Sequence, residues 1–485
     1  MAEFYLGIDF GGGACKATLL RSDGKVVATA TAEYPTKFGA DGAAEQDPNG
    51  WFRAAAANIR EILKESGVKP AEIRCVGFDA ATHTAVLCDE NYNVLRDSVY
   101  WTDTRSAPQA RALREKYGEE IFAACRHYPD TIWTLPQLMY LRGREAETYK
   151  RVERVFFAKD YVRHLFTGDF LTDCIEAEGS MLYDVRRGDW SEELLALAGL
   201  KKENMPRIER PEAQAGAVTK SAAQATGLAE GTPVIVGTTD TALEVFASGA
   251  VGKGQSTVKL ATAGRICCVT DKPFPDENIV NYSFIKQGLY YPGSATKSAA
   301  ASYRWFRDAF GGSYAELDAL AAQTPAGSDG LIFHPYLNGE LTPYADPSLR
   351  GSFVGINGKH AKGHFARAVM EGVALSLYDC LLYLRERGLF VSDSFAIGGG
   401  VKSPLWRTIL SDVLGLRLFT TENNDSSFGC AMLAGIAAGA FADADDAARR
   451  CCKITGEVSP DAERHALYMR MFETYRKTGR ALSGK

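Results

Sequence analysis

The chain has 485 residues, 46% of them hydrophobic and 24% charged, with a formal net charge of −5. That length asks for more than one domain, and that balance belongs to an ordinary globular protein. The mildly acidic total argues against a general polyanion-binding surface, so nucleic acid is not an expected partner.

No secretory leader is read at the start, where Met1-Ala-Glu-Phe-Tyr runs straight into a strand pattern. The expectation is a cytoplasmic protein. Eleven cysteines are scattered, many within apolar runs, and none forms the paired CxxC clusters that hold zinc. Cys267-Cys268 and Cys451-Cys452 are adjacent pairs, which rarely bridge. Reduced thiols acting as small buried hydrophobes are expected, with no disulfides. The run from Cys430 to Ala440 is too short and too Gly-rich to span a bilayer. It predicts a helix packed closely between layers.

The chain opens on two apolar runs within Leu6–Leu20, split by Gly11-Gly12-Gly13. The pattern predicts a β-hairpin. Glycines let backbone N–H groups turn toward a bulky anion. Asp9, ending the first strand, suits a hydrated magnesium ion, and Lys16 on the returning strand adds positive charge. A plain tight hairpin with a solvated Asp and Lys fits the glycines equally well. The spacing is that of neither a P-loop nor a dinucleotide fingerprint.

A strand follows at Val26–Tyr34, and Asp47-Pro48-Asn49-Gly50 introduces a helix from Trp51 to Ser66. Ile73–Phe78 reads as a short buried strand that resumes at Ala85–Cys88. The polar stretch between them, Asp79-Ala-Ala-Thr82-His83-Thr84, is a place for ligand contacts. Trp101, Asp103 and Arg105 sit in the next loop. A ring, a carboxylate and a guanidinium suit a polyol, although an exposed ion pair beside a packed Trp explains them too. Helices are expected over Pro136–Arg142 and Lys159–Phe166.

Val234–Phe246 reads as buried strand, turn and helix, with Asp240 at the helix start. There the N–H groups and the dipole favour its ionised form, whether it is a plain cap or more. Ser256–Val269 is again strand, small-residue turn and strand, mirroring the opening hairpin. Two such hairpins, each heading an α/β half, suggest an ancient duplication. A long helix spans Gly363 to Arg387, and the strand Phe395–Ile397 ends in Gly398-Gly399-Gly400. Such a glycine turn accepts a purine or ribose against backbone, or simply a close strand–helix crossing. A helix follows from Ser403, and from Asp443 the chain is expected to finish in helices.

With these residues in place, the sequence resembles the FGGY family of carbohydrate kinases over nearly its whole length. Gly351-x-Phe353-x-Gly355-Ile356, then seven residues, then His364-Phe365-x-x-Ala368-Val369-Met370-Glu371 fits the family's C-terminal signature at every fixed position. The order Asp9/Gly11, Asp240, Gly398-Gly399-Gly400 agrees as well. Asp160–Asp173, Leu182–Trp190, and Phe333-His-Pro-Tyr336 with Gly339-Glu340 and Thr342-Pro343 are similar to xylulokinases.

The resemblance implies an α/β, two-lobed, duplicated actin/hexokinase-like (ribonuclease H-like) fold with a cleft between lobes, over 1–248 and 249–485. It implies ATP with Mg2+ as cofactors, and phosphoryl transfer to a terminal hydroxyl of a small-molecule sugar. By position, Asp240 resembles the general base and a metal- and substrate-side group, and Asp9 the magnesium-side carboxylate. Gly11, Gly12, Gly13 and Lys16 resemble the first phosphate turn, and Thr262 and Gly264 the second. Gly399 and Gly400 resemble the adenosine site. Thr82 and His83, with Trp101, Asp103 and Arg105, fall where the sugar is held. Asp9 and Asp240 are expected to face one another across a gap between two halves. No membrane partner is implied, and a homodimer is left open.

Several positions depart from the family pattern. Gly12 replaces a usual threonine, and the second turn reads Ala261-Thr-Ala-Gly-Arg265. Ala81-Thr82-His83-Thr84 stands for the xylulokinases' Gln-Met-His-Gly, Thr241 for an Asn, and Leu341 for a common Arg. The N-terminal signature is weak around Leu135-Pro-Gln137. D-xylulose is therefore a first choice within a class. A ribulokinase-like, polyol or aldonate kinase stands beside it, and a non-kinase ATP-driven switch or a sugar sensor is the reading from another class.

Overall fold

The computed structural model describes residues 3–483. The reading of Met1 and Ala2 as a start without a leader lies outside them. The chain forms two compact units. One comprises Met1–Ala247, Asn281–Leu289 and Asp425–Cys452; the other comprises Ser248–Val280, Tyr290–Asn424 and Lys453–Lys485.

In the first unit, β1 (Phe4–Phe10) and β2 (Ala14–Arg21) form the expected hairpin, in register from Phe4 opposite Arg21 to Phe10 opposite Cys15. β3 (Val26–Glu33) continues antiparallel, and β4 (Ile73–Ala80) runs parallel to β1 on its other side. With β5 (Gln214–Ala217), β6 (Pro233–Ile235) and β7 (Thr238–Thr239), the sheet order is β5-β6-β4-β1-β2-β3, and β7 also pairs with β4. Every residue of β1 is buried, as a central strand covered on both faces requires.

The helix Pro48–Ser66 covers one face. Its start follows the sequence: Asp47 accepts from the Asn49 N–H, Pro48 opens the first turn, and Gly67 closes the helix in the left-handed region. The other face carries the helix Ser426–Ala437, the small-residue run. A Cβ on Gly7 would lie 2.0 Å from the Ser427 carbonyl oxygen, and one on Gly429 would lie 2.4 Å from that of Leu243. Small residues thus seat this helix between the sheet and the helix Asp240–Ala247. That packing assigns Asp425–Cys452 to the first unit, whereas the sequence reading kept everything after 248 in the second.

The second unit has the sheet order β10-β9-β8-β11-β12-β13, from β8 (Ser256–Leu260), β9 (Gly264–Cys268), β10 (Gly293–Thr296), β11 (Ser394–Ile397), β12 (Leu418–Thr421) and β13 (Ile454–Val458). Its strand directions repeat those of the first sheet. An antiparallel three-strand meander is joined by two parallel strands, and an antiparallel edge strand closes each sheet. The duplication read from the two hairpins thus extends to whole sheets. The helix Lys362–Glu386 is buried along most of its length.

Three local expectations change. Ala85–Cys88 does not resume β4; it pairs with Arg154–Phe157 in a separate ribbon, because the chain turns at His83, whose φ is 73°. The helix Ala107–Cys125 had no clear periodic signal and was not read from the sequence. The C-terminal segment is not all helix: β13 precedes the last helix, Ala462–Ser483, and its half-exposed edge position leaves no apolar alternation to read. All eleven cysteines are free thiols, nine of them buried. Among the described residues, no helix is long and apolar enough to cross a membrane.

Candidate active site

The site in the first unit is set by strand register. β1, β4 and β7 lie side by side, with Asp9 opposite Asp79 and Asp79 opposite Thr238. Asp240 follows two residues later, at the first position of its helix. Gly237 makes this register reachable. Its φ is 74°, and a Cβ there would fall 1.9 Å from the Phe78 carbonyl oxygen. Asp9 and Asp240 therefore belong to one unit, flanking β4, and do not come from two halves as the sequence reading had it.

The carboxyls act on one another. Burial, then the charge of Asp240, pushes the Asp9 carboxyl up to about 7, while Lys16, opposite it on β2, pulls it down. Burial and Asp9 push Asp79 well above the usual range. Asp240 holds the Thr241 N–H at 2.6 Å and the Thr241 hydroxyl at 3.1 Å on one oxygen, so its carboxylate is fixed by the next residue at the helix start. The sequence reading places Asp79 only within a polar stretch suited to ligand contacts, with no role of its own. The signal was present, a carboxylate inside an apolar strand, but only the register shows that it faces Asp9.

At the glycine turn, the Gly11 N–H bonds the Ala14 carbonyl at 3.1 Å. Tyr34 donates to the Gly11 carbonyl at 2.5 Å. Thr36 and Gln46 donate to the Gly12 carbonyl at 2.6 and 3.1 Å. With both carbonyls drawn inward, the following N–H groups turn outward. Those of Gly12 and Gly13 meet no acceptor among the described residues. Lys16 is exposed.

Thr82 and His83 lie in the turn after β4. His83 is held on every polar atom: its N–H by Glu176 at 3.1 Å, its carbonyl by Thr134 at 2.9 Å, Nδ1 by the Gly179 carbonyl at 2.6 Å, and Nε2 by the Tyr282 hydroxyl at 3.2 Å. Trp133 meets the ring edge-on at 4.7 Å. Tyr282 belongs to the Asn281–Leu289 strap, far along the sequence. Its neighbours anchor it: the Asn281 N–H donates to His127 Nε2 at 2.9 Å, and Ser283 gives its N–H and hydroxyl to Glu178 at 2.7 and 2.6 Å. Burial holds Glu178 up at about 7 against those two bonds. No local pattern could have found Tyr282.

Asp103 and Arg105 spend their groups inside the loop. Asp103 is 1% exposed and accepts from the Ala44 N–H at 2.8 Å and the Arg105 N–H at 2.9 Å. Arg105 also pairs with Asp103 at 2.7 Å and with Glu45 at 2.6 Å. The ion pair of the blander sequence reading is present, but it is internal where that reading had it exposed, and Trp101, which that reading had packed, is the exposed member of the three.

Beneath β7 lies a buried ionic cluster. Lys159 pairs with Asp160 and Asp173 at 2.5 and 2.9 Å, and Arg163 with Asp160 and Asp169 at 2.6 and 2.7 Å. Asp173 accepts from the Thr238 hydroxyl at 2.7 Å, and Arg163 donates to the Val236 carbonyl at 2.6 Å. The Asp160–Asp173 motif thus fixes the strand that delivers Asp240.

In the second unit, Thr262 is exposed in the β8–β9 turn, and its carbonyl accepts from the N–H groups of Ala299 and Ala301 at 2.9 and 3.3 Å. Gly264 is packed: a Cβ would lie 2.8 Å from Thr296 Cγ2. Gly398 and Gly400 cross the end of β8, 2.7 Å from the Leu260 carbonyl oxygen and 2.6 Å from the Leu260 Cγ at the Cβ position. Gly399 faces open space. The second turn and the glycine run therefore meet at Leu260. The signature residue Glu371 is a core clamp, accepting from the Gly327 N–H, the Ser328 hydroxyl, Arg367 and Tyr468.

The model of the FGGY family of carbohydrate kinases, N-terminal domain, matches residues 4–247, and that of its C-terminal domain matches residues 264–438. The xylulose kinase of Bacillus subtilis (strain 168) is 30% identical over 479 residues, 98% of this chain and 96% of its own. A solved structure titled as a xyloylose kinase from Brucella ovis superposes with a TM-score of 0.91 at 28% identity, covering 99% of each chain. A gluconate kinase structure from Lactobacillus acidophilus gives 0.93 at 25% identity, over 100% of this chain and 99% of its own. With both family domains present in order on a two-unit α/β fold, the chain belongs to the FGGY family of carbohydrate kinases and is a sugar kinase, with ATP as its phosphoryl donor.

Proposed function

We propose that the chain transfers the γ-phosphoryl group of ATP to a terminal hydroxyl of a ketopentose, with D-xylulose as the first choice, and that Asp240 is the general base. The carrying observation is the row of Asp9, Asp79 and Thr238 across three strands, with Asp240 at the helix start that follows. Likeness to the Bacillus subtilis xylulose kinase along almost the full chain supports the sugar class.

Phosphoryl transfer asks for alignment and charge neutralisation more than for covalent chemistry. Asp240 accepts the proton of the attacking sugar hydroxyl as the new bond forms. Thr241 fixes its carboxylate, and the cluster under β7 fixes its backbone. The outward amides of Gly12 and Gly13 bind phosphoryl oxygens, with Lys16 adding charge. Thr82 holds the sugar, and His83 does so by exchanging its Tyr282 partner at Nε2 for a sugar hydroxyl. Thr262 and Gly264 serve as the second phosphate turn, and Gly399 and Gly400 line the adenosine site.

Mg2+ fits the donor set. Asp9 Oδ1 is buried without a hydrogen-bond donor among the described residues, and no group of three metal-ligating side chains is present there. One or two carboxylates plus substrate phosphates is how magnesium is commonly held in kinases. Asp9 and Asp240 would hold it, and when bound it neutralises charge on the phosphates.

The test is a coupled assay of ADP release over D-xylulose, D-ribulose, polyols and D-gluconate. D-Xylulose-dependent ADP formation is expected. The Gly77-Phe78-Asp79-Ala80-x-Thr82 stretch, similar to ribulokinase-like members, and the fold match to a gluconate kinase favour a second reading, turnover of D-ribulose or D-gluconate instead. ADP formation without any sugar would indicate an ATP-driven switch. Tight sugar binding without turnover would indicate a sensor.

A further inference from the structure

The first phosphate turn has no side-chain hydroxyl of its own, since Gly12 stands where threonine is usual in the family it resembles. A hydroxyl reaches it from elsewhere. A Cβ built on Gly12 would lie 3.1 Å from the Tyr100 hydroxyl oxygen, and 3.7 and 3.8 Å from the ring carbons Cζ and Cε1. Tyr100 follows the two-residue strand Ser98–Val99, and its ring is buried with Ala44 and Ala81.

The hydroxyl is held in place by its backbone. The Tyr100 N–H donates to the Ala44 carbonyl at 2.9 Å, and the Tyr100 carbonyl accepts from the Asp103 N–H at 2.9 Å. Asp103 returns to the Ala44 N–H through its carboxylate at 2.8 Å. The Asp103–Arg105–Glu45 clamp, which has no evident reach to a ligand, thus acquires a purpose: it fixes the residue beside it. Besides burial, the charge of Asp240 acts on the Tyr100 phenol, and that of Asp9 more weakly. The hydroxyl therefore lies in the field of both carboxylates assigned to the reaction. The Gly12 and Gly13 amides point away from the Tyr34, Thr36 and Gln46 bonds that pin their carbonyl side.

We propose that Tyr100 completes the first phosphate turn, its hydroxyl donating to a γ-phosphoryl oxygen at the Gly12 and Gly13 amides, in the space a side chain on residue 12 would otherwise fill. The inference rests on the kinase reading above. Tyr100 and Gly12 form an exchangeable pair. A hydroxyl comes either from residue 12 or from residue 100, and at 3.1 Å a side chain on residue 12 would press on the Tyr100 hydroxyl and displace it by a few tenths of an ångström.

The test uses the full chain and three variants, Tyr100→Phe, Gly12→Ser and the double Gly12→Ser/Tyr100→Phe. Affinity for Mg2+-AMP-PNP and for Mg2+-ADP is measured by calorimetry, without sugar. Tyr100→Phe keeps the ring, so its melting temperature is expected to stay at the parent value. It should weaken AMP-PNP about fivefold, as loss of one hydrogen bond does, and leave ADP within about twofold. Gly12→Ser alone should bind AMP-PNP worse than the parent. In the double variant the ring carbons are at ordinary contact distance, and AMP-PNP affinity should return toward that of the parent. Equal effects of Tyr100→Phe on the two nucleotides, or a double variant no better than Tyr100→Phe, would overturn the inference. These arms need no turnover. A chain that releases no ADP with any sugar would sink the proposed function while the binding data still decide on Tyr100.

Discussion

Asp9 and Asp79 face each other from neighbouring parallel strands, in register and buried. Two carboxylates so placed cannot both ionise, so the pair retains a proton that each would lose in the unfolded chain. Cys430, on the small-residue helix packed over β4, offers Asp79 only a weak thiol donor. A buried acid pair at the end of a central strand is costly, and it stands next to the residue assigned as base.

The pair makes a pH prediction. Asp9 rises from 3.8 to about 7 in the folded chain. The native state then binds more protons than the unfolded state between those values, and stability falls as pH rises. The contribution is complete below about 4 and lost as pH passes through about 7. Asp79 is held well above the usual carboxylate range by burial and by Asp9, so it too keeps a proton only in the folded chain, and Asp79→Asn removes that second contribution. Denaturant titrations should show the parent losing stability relative to Asp79→Asn between pH 5 and pH 8, at up to about 1.4 kcal/mol per pH unit for one proton. Parallel curves would mean that the two carboxyls are uncoupled.

Asp240→Asn keeps the bond from the Thr241 N–H, because Asn accepts through its carbonyl oxygen. The fold should survive, with an unchanged circular dichroism spectrum and melting temperature. Sugar-dependent ADP release should drop by about two to four orders of magnitude in kcat, as loss of a general base does. Near-parental turnover would remove Asp240 from that role.

The buried cluster under β7 should be the most fragile ionic feature of the chain. Lys159→Met leaves Asp173 without its cation, and Asp160 with Arg163 alone, in a dry setting and should cost about 3–5 kcal/mol. Lys150→Met, which breaks an exposed pair with Glu147, should cost less than about 0.5 kcal/mol. Thermal melts of the two variants give the comparison. Similar shifts would mean that the cluster is ionic decoration and not a clamp on the Asp240 strand.

The two glycines assigned to the adenosine site should separate. Gly400→Ala drives a Cβ to within 2.6 Å of Leu260 and should destabilise the second unit by about 1–3 kcal/mol. Gly399→Ala meets open space and should leave the melting temperature alone. If residue 399 lines the nucleotide, that variant should raise the KM for ATP several-fold with little change in the KM for sugar. An unchanged KM would confine the glycine run to its crossing over Leu260.

The sequence by itself determined the local vocabulary of this protein. Gly11-Gly12-Gly13 between apolar runs gives the hairpin, Asp47-Pro48 the helix start, and the spaced signature from Gly351 to Glu371 the family, because turn, cap and motif are each written within a few neighbouring residues. Tertiary structure decided what depends on register and on return of the chain. Only the pairing of β1 with β4 sets Asp79 against Asp9. Only the strap anchored on His127 and Glu178 brings Tyr282 to His83, about 200 residues away in sequence. Only the close fit of Gly7 and Gly429 draws Asp425–Cys452 back onto the first sheet. Side-chain direction in a strand alternates with period two, so a one-residue change of pairing would turn each of these carboxylates to the opposite face, and no local pattern records which pairing wins.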